Sequence, residues 1–410
     1  MSQRRRARLV IRTPDTRRSR RLQDVLAAAE IDAVALTGSA RPAPDGEDLT
    51  LIDADGADAA EFAKAVRRDV RGALAIVGAT AALPIRPSPL DGWIALDDRA
   101  DILRRVLNDI RRDGVAREEA RVRRRTAAAL GLSAAPAHSV SNTMSALFVG
   151  PPNTAFLAFE HAWRDLGGMI GATFTSFAAF DHLQDERFDA VVLNAADDAP
   201  AASSLASAMR RNAGLYHAPI LALAPEGADR ALERNSDVLV RTDQDLARPA
   251  AWLAESVDRA HRRRATLSVL KAVPEPKSPW SAATMKVHLE ALAASHHEGG
   301  RALSVALVRF RASAEEKAAR RRIERADLAA RLIRASDCLS VLDERTLALA
   351  FPCTDESGAQ AAMQRIRSVW THAALGAEDK IPDHECVVIE LAPGESGAAM
   401  LARARRSDPH

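Results

Sequence analysis

The chain is 410 residues long, with 57 Lys and Arg against 55 Asp and Glu for a formal net charge of +2, and it is 47% hydrophobic. That length predicts two to four domains with cores of ordinary size, and arginine clusters without interleaved aromatic residues argue against nucleic acid as a partner. No apolar run reaches the length of a membrane span, MSQRRRARLV leads into no signal-peptide core, and Cys338, Cys353 and Cys386 are too few and scattered for a disulfide frame or a zinc site, so a cytoplasmic chain without a metal is expected.

Residues 8–122 alternate between strand and helix patterns. The strand Leu9–Ile11 leads to a helix carrying Leu22, Val25 and Leu26, and the strand Ala33–Leu36 follows. Leu49–Ile52 is a strand that ends at Asp53; a helix through Phe62 and Val66 and the strand Leu74–Val77 come next. Trp93–Leu96 is a short last strand, and a helix from Ile102 places Leu103, Val106, Leu107 and Ile110 on one face. Such alternation predicts a parallel sheet covered by helices.

Residues 123–143, basic and then Ala/Ser/Pro-rich, read as a linker. The pattern restarts at Ala146–Val149, followed by a helix with Phe156, Phe159 and Trp163. Asp189–Leu193, Ile220–Leu223 and Val238–Val240 are strands, and Ala251–Val269 is a terminal helix. VPEPKSPW at 273–280 reads as a hinge. Beyond it come a helix Met285–Ala293, the strand Leu303–Phe310, a helix 314–333, a helix Gly358–Val369 and the strand Cys386–Leu391. The arginine clusters Arg4–Arg6, Arg121–Arg125, Arg262–Arg264 and Arg320–Arg322 read as solvated helix faces and linkers.

The most informative stretch is RASDCLSVLDERTLALAFP at 334–352. Leu339 and Val341 precede a tip, and Leu347, Leu349 and Phe351 alternate after it. Asp343 and Glu344 are expected to form the turn. This stretch resembles the signature hairpin of the GGDEF family, the diguanylate cyclases. Asp343 to Leu347 stand in the five tip positions, and Arg334 and Asp337 stand where that family has its Arg-x-x-Asp, five residues earlier. Arg365, in Gln364-Arg365-Ile366-Arg367, falls at the family's spacing for a further product-binding arginine.

Residues 1–122 resemble a response-regulator receiver. Asp53 stands at that family's phospho-acceptor position, but Thr13 and Pro14 replace its acidic pair, Gly78 its Thr/Ser and Leu96 its Lys. Residues 144–272 resemble a second receiver, with Asn194 at the acceptor position, Ala224 at the Thr/Ser and Arg241 at the Lys. Asparagine cannot form an acyl phosphate, so this is a pseudo-receiver. The resemblance therefore implies an α/β fold: two flavodoxin-like, doubly wound receiver domains (1–122 and 144–272) and a degenerate GGDEF domain (281–410), a PleD-type layout. MLARARRSDPH implies a short or frayed last helix.

By the resemblance, the tip serves GTP and metal, and the Arg-x-x-Asp serves cyclic di-GMP. Arg309 and Arg311 stand at the acidic metal positions, where phosphate-bound magnesium needs oxygen ligands. The implied protein is catalytically inactive and needs no cofactor. It binds cyclic di-GMP through Arg334, Asp337 and Arg365. An arginine fork suits guanine O6 and N7, a carboxylate suits the Watson–Crick N–H groups, and a second arginine suits phosphate or a base face. The layout further implies a homodimer and an adaptor in cell-cycle signalling that recruits partners for regulated proteolysis at the cell pole. A weak cyclase and a ligand-free interaction module are the alternatives. At residue level, Asp53 is alternatively a plain strand-end carboxylate beside Asp55, and Arg334 with Asp337 an i,i+3 surface pair.

Overall fold

The computed structural model describes the chain except for residues 1–8, 39–47, 56–57, 71–72, 81–89, 97–99, 133–142, 213, 226–229, 242–244, 276–278, 311–315, 374–383 and 408–410. The first domain runs β1 (Leu9–Thr13), α1 (Thr16–Ala28), β2 (Ala33–Thr37), β3 (Leu49–Asp53), α2 (Ala59–Asp69), β4 (Ala75–Thr80), β5 (Gly92–Ala95) and α3 (Ala100–Ala129). Its strands are parallel in the order β2-β1-β3-β4-β5, the doubly wound order of flavodoxin-like folds. Every residue of β1, β3 and β4 is buried, because helices cover both faces of the sheet; the strands are mostly apolar, with Arg12 and Thr50 buried among the apolar residues.

The second domain repeats this winding. It comprises β6 (Ser145–Val149), α4 (Thr154–Asp165), β7 (Met169–Thr173), α5 (Ser176–Asp185), β8 (Ala190–Asn194), α6 (Ala199–Arg211), β9 (Ile220–Ala224), α7 (Arg230–Asn235), β10 (Val238–Arg241) and α8 (Ala247–Ala272). The parallel order is β10-β9-β8-β6-β7. β7 and α5 have no counterpart in the sequence reading. MIGAT is a half-exposed edge strand with a glycine in its middle, and a Cβ on Gly171 would stand 2.9 Å from the Phe188 ring. An edge strand has one face in solvent, so its apolar signal is weak.

The third domain runs α9 (Ala282–Glu298), β11 (Leu303–Phe310), α10 (Glu316–Leu332), β12 (Cys338–Asp343), β13 (Thr346–Pro352), α11 (Glu356–Ala373), β14 (His384–Glu390) and α12 (Gly397–Arg406). Its sheet is antiparallel in the order β12-β13-β11-β14. Trp280 forms a bridge to Ser340 on the edge strand β12, with Trp280 N–H donating to Leu339 O at 2.8 Å and Val341 N–H to Trp280 O at 3.2 Å. The end of the expected hinge therefore closes a sheet edge that would otherwise be open.

Three expectations are corrected. The hairpin turns at Glu344–Arg345, one residue later than expected, because a register shift between Val341 and Asp343 carries Asp343 into β12 opposite Thr346. α12 is short, as expected, and it is held at both ends: the Ser396 side chain caps its start and Arg309 binds its end. The expected boundary at 122/123 does not exist, since α3 continues unbroken to Ala129. Val122 belongs to the apolar core of the third domain, while Glu119, Arg123 and Thr126, on the same helical stripe, are buried beside it. α3 packs against both α8 and α9, so the three sheets are arranged around one helical layer. Arg262, Arg263 and Arg264 are not free solvated cations either. They pair with Glu255 and Asp258, with Asp113 of the first domain, and with Asp189, respectively. Arg4–Arg6, Arg311 and the side chains of Arg320–Arg322 lie outside the described residues.

One buried histidine makes stability pH-dependent. His296, on α9, bonds Leu292 O through Nδ1 and accepts the Cys353 N–H on Nε2 at 3.1 Å. Both ring nitrogens are thus used in the neutral tautomer. Burial, together with nearby Arg301, lowers its pKa to about 4. The unfolded chain holds the extra proton between that value and about 6.5. Stability is therefore full above the upper limit and falls as pH drops through this window, by roughly 3 kcal/mol in all. Denaturation series at several pH values should show this loss, and His296→Gln should flatten it.

Candidate functional site

Doubly wound sheets place their sites at the carboxyl ends of the strands. In the first domain Asp53 ends β3 there, 6% exposed. Arg18 of α1 covers it. The Arg18 guanidinium lies 3.8 Å from Asp53, 3.4 Å from Asp15 and 3.0 Å from Asp58. Arg21 reaches Asp55 at 3.5 Å. β4 extends beyond the expected strand, so Thr80, not Gly78, stands at its carboxyl end, and its hydroxyl donates to Asp55 at 2.5 Å. A hydroxyl and the carboxylates of Asp15, Asp53 and Asp55 therefore gather at the strand ends, with the Arg18 guanidinium covering Asp53. We expect acetyl phosphate with magnesium to leave the chain unlabelled at Asp53 within minutes, by intact mass spectrometry; rapid labelling lost in Asp53→Asn would show a working acceptor.

In the second domain Asn194 ends β8 and is buried. Its Nδ2 donates to Asn153 Oδ1 at 3.1 Å and its Oδ1 accepts the Ala196 N–H at 3.3 Å. Asn153 in turn caps α4. The acceptor position is used for structure.

In the third domain the chain between α10 and β12 makes a tight turn. Asp337 N–H donates to Arg334 O at 2.9 Å, and the Asp337 side chain accepts the Arg334 N–H through Oδ2, also at 2.9 Å. Asp337 is therefore no helical surface partner of Arg334. It is 8% exposed, burial pushes its pKa up to about 6, and its Oδ1 is buried without a hydrogen-bond partner. Arg334 is exposed, and its positive charge acts on the Asp337 carboxyl, opposing the larger effect of burial there. Arg365, on α11, is exposed and donates to Leu332 O at 3.2 Å, at the end of α10. The fold thus sets Arg334 and Asp337 in one turn and brings the Arg365 guanidinium to Leu332 O, two residues before that turn.

The tip and metal positions look different. Arg309 donates to Ala404 O at 2.9 Å and Arg405 O at 2.5 Å, so it caps the carbonyl end of α12. Asp343 accepts the Arg345 N–H at 3.0 Å and lies 3.7 Å from Arg405.

Behind the turn lies a buried polar cluster that the sequence reading missed. Glu119 Oε1 accepts from Arg123 Nε at 2.7 Å and lies 3.1 Å from His288 Nε2 and 3.3 Å from Cys338 Sγ. Thr126 Oγ sits 2.9 Å from His288 Nδ1. Burial opposes the Glu119 charge, but His288 and Arg123 outweigh it and hold the carboxyl well below its ordinary range. Carboxylate, imidazole and thiol converge as metal ligands would. Here the Arg123 guanidinium, within 3.3 Å of Cys338 Sγ, supplies the counter-charge. The signal available in sequence was the i,i+4 pair Glu119–Arg123 within a stripe 119/122/123/126.

Among the described residues no helix is long and apolar enough to cross a membrane. No protein-family model matches the chain. No curated protein matches it either. Solved structures give partial likenesses. The GGDEF domain of DgcB from Caulobacter crescentus, in complex with c-di-GMP, is 18% identical, covering 30% of this chain and 78% of that one at a TM-score of 0.28. The chemotaxis response regulator CheY4 of Vibrio cholerae is 15% identical, covering 30% and 98% at 0.24. The C-terminus of E. coli RcsC, with its linker region and phosphoreceiver domain, is 14% identical, covering 63% and 95% at 0.26. The fold assignment rests on strand order and register in the chain itself.

Proposed function

We propose that this chain is a non-catalytic receptor for cyclic di-GMP, with two receiver-like domains serving as its scaffold. The observation that carries the reading is the 334–337 turn. An exposed arginine whose charge acts on the Asp337 carboxyl, a carboxyl oxygen lacking a hydrogen-bond donor, and Arg365 at the adjacent helix end together suit a guanine edge and a phosphate. A guanine N–H brought to Asp337 would supply the donor its Oδ1 lacks, which favours the ionised form despite burial.

Cyclase chemistry is not part of the proposal. A guanidinium at position 309 offers no oxygen to magnesium, and here it is committed to α12. Purified chain with GTP and magnesium should form no cyclic di-GMP above a protein-free control. Turnover abolished by Asp343→Ala would instead make it an enzyme. The direct test of the receptor is calorimetric titration of the full chain with cyclic di-GMP, using cyclic di-AMP as control. Absence of heat at tens of micromolar protein would end the reading. Recruitment of partner proteins at a cell pole, with homodimerisation, is the physiological role that the sequence resemblance suggests for such a receptor.

A further inference from the structure

We infer that Arg123 is a positioning residue that couples the 334–337 turn to the second domain, so that nucleotide on the turn is felt at the end of α8. The ligand half of this inference rests on the receptor reading above. The mechanical half does not.

One guanidinium serves both places. Its NH2 donates to Ala335 O and Asp337 O, each at 3.1 Å, and so holds the turn from behind. Its NH1 donates to Leu270 O, in the last turn of α8. That carbonyl is one of the four a helix end leaves without an internal partner, so Arg123 acts as its cap. Nε goes to Glu119, and the guanidinium carbon lies 4.8 Å from the centroid of the Trp280 ring. Arg123 itself belongs to α3, the helix of the first domain. Three domains thus meet on one rigid planar fork.

The fork cannot follow one partner without leaving another. Its donors lie in a fixed plane, and a hydrogen bond weakens steeply once geometry departs from about 3 Å and near-linearity. Arg123 is 3% exposed, so water does not replace a bond that is lost. The Arg334 side chain of the turn is exposed and the Asp337 side chain lies buried beneath it, while the atoms held by Arg123 are the backbone carbonyls of the same turn. A nucleotide that draws Asp337 outward shifts Ala335 O and Asp337 O against the fork. The shift then reaches Leu270 through a single side chain.

Hydrogen exchange by mass spectrometry on the full chain tests both halves. Without ligand, Arg123→Lys keeps a charge for Glu119 but presents one point donor in place of a fork. Amides in 335–338 and 268–273 should both exchange faster, each by about tenfold, the loss of one buried hydrogen bond. The helix 176–185, far from Arg123 in sequence and in another layer, should be unchanged. Asp337→Ala approaches from the other side: it loosens the turn, leaves Arg123 intact, and should also accelerate 268–273. If either variant moves only its own segment, or if the whole chain speeds up evenly, the coupling is refuted. With cyclic di-GMP, the wild type should change at 334–338 and at 268–273, whereas Arg123→Lys should change at 334–338 alone. Protection at the turn with a silent 268–273 refutes the coupling and leaves the receptor standing. No response at either place ends the receptor reading, while the ligand-free arm still decides the coupling.

Discussion

Glu119→Ala should destabilise the third domain and its junction by about 3–5 kcal/mol, the usual cost of leaving a buried charge without its partner. The substitution strands Arg123, which keeps its carbonyl partners but loses the carboxylate it is paired with, and it removes the oxygen facing His288 and Cys338. None of these groups can turn to water, since Glu119 and His288 side chains are fully buried and Arg123 nearly so. Chemical denaturation followed by tryptophan fluorescence should show the loss, because Trp280 packs on both Arg123 and His288. Glu119→Gln should cost less, since the amide still accepts from Arg123 Nε. The double replacement Glu119→Leu with Arg123→Met should cost less than Glu119→Ala alone, as a buried ion pair exchanged for apolar groups of similar volume is often tolerated. A shift below about 1 kcal/mol for Glu119→Ala would mean that the junction is wet or open in solution.

Arg334→Ala should weaken cyclic di-GMP binding by about 1–3 kcal/mol, roughly 5- to 150-fold, which is the worth of a two-donor guanine contact. Stability should hardly change, because the Arg334 side chain is exposed. Arg334→Lys should not restore affinity, since an ammonium cannot present two parallel donors. Asp337→Ala should do two things at once. It should reduce discrimination of guanine from adenine, and it should loosen the turn by removing the acceptor of the Arg334 N–H. Arg365→Ala should give a loss that grows smaller as salt rises, if phosphate is its partner. Substitutions at Asp343 to Leu347 should leave affinity unchanged. Unaltered binding by Arg334→Ala would overturn the site assignment.

Much of the architecture was legible in the residues. β1, β3, β4, β8 and β9 are short apolar runs bounded by turn residues, and buried parallel strands leave that mark. The hairpin was visible because β12 and β13 bracket polar tip residues. The turn itself moved by one position because a register shift depends on pairing across strands and not on local composition. β7 was invisible because only one of its faces is packed. Thr80 was missed because three strand residues, Gly78, Ala79 and Thr80, lie past the apolar run used to end β4.

The residues 334–337 and 365 could be nominated in sequence because they sit at fixed offsets from a recognisable hairpin. Their convergence, and the split of Asp337 between a capping oxygen and an unpartnered one, needed the fold. The same holds for the basic stretch after position 119. As a string, EEARVRRRT is charged, and its part from Arg123 on reads as the start of a linker. In the folded chain one side of that helix faces two other domains, and Glu119, Arg123 and Thr126 neutralise or bond one another and His288. Local composition therefore determined the secondary structure and the strand cores, whose burial follows from apolar content alone. Tertiary structure alone decided which charges are inside, because a buried charge is tolerated only where partners distant in sequence arrive to meet it.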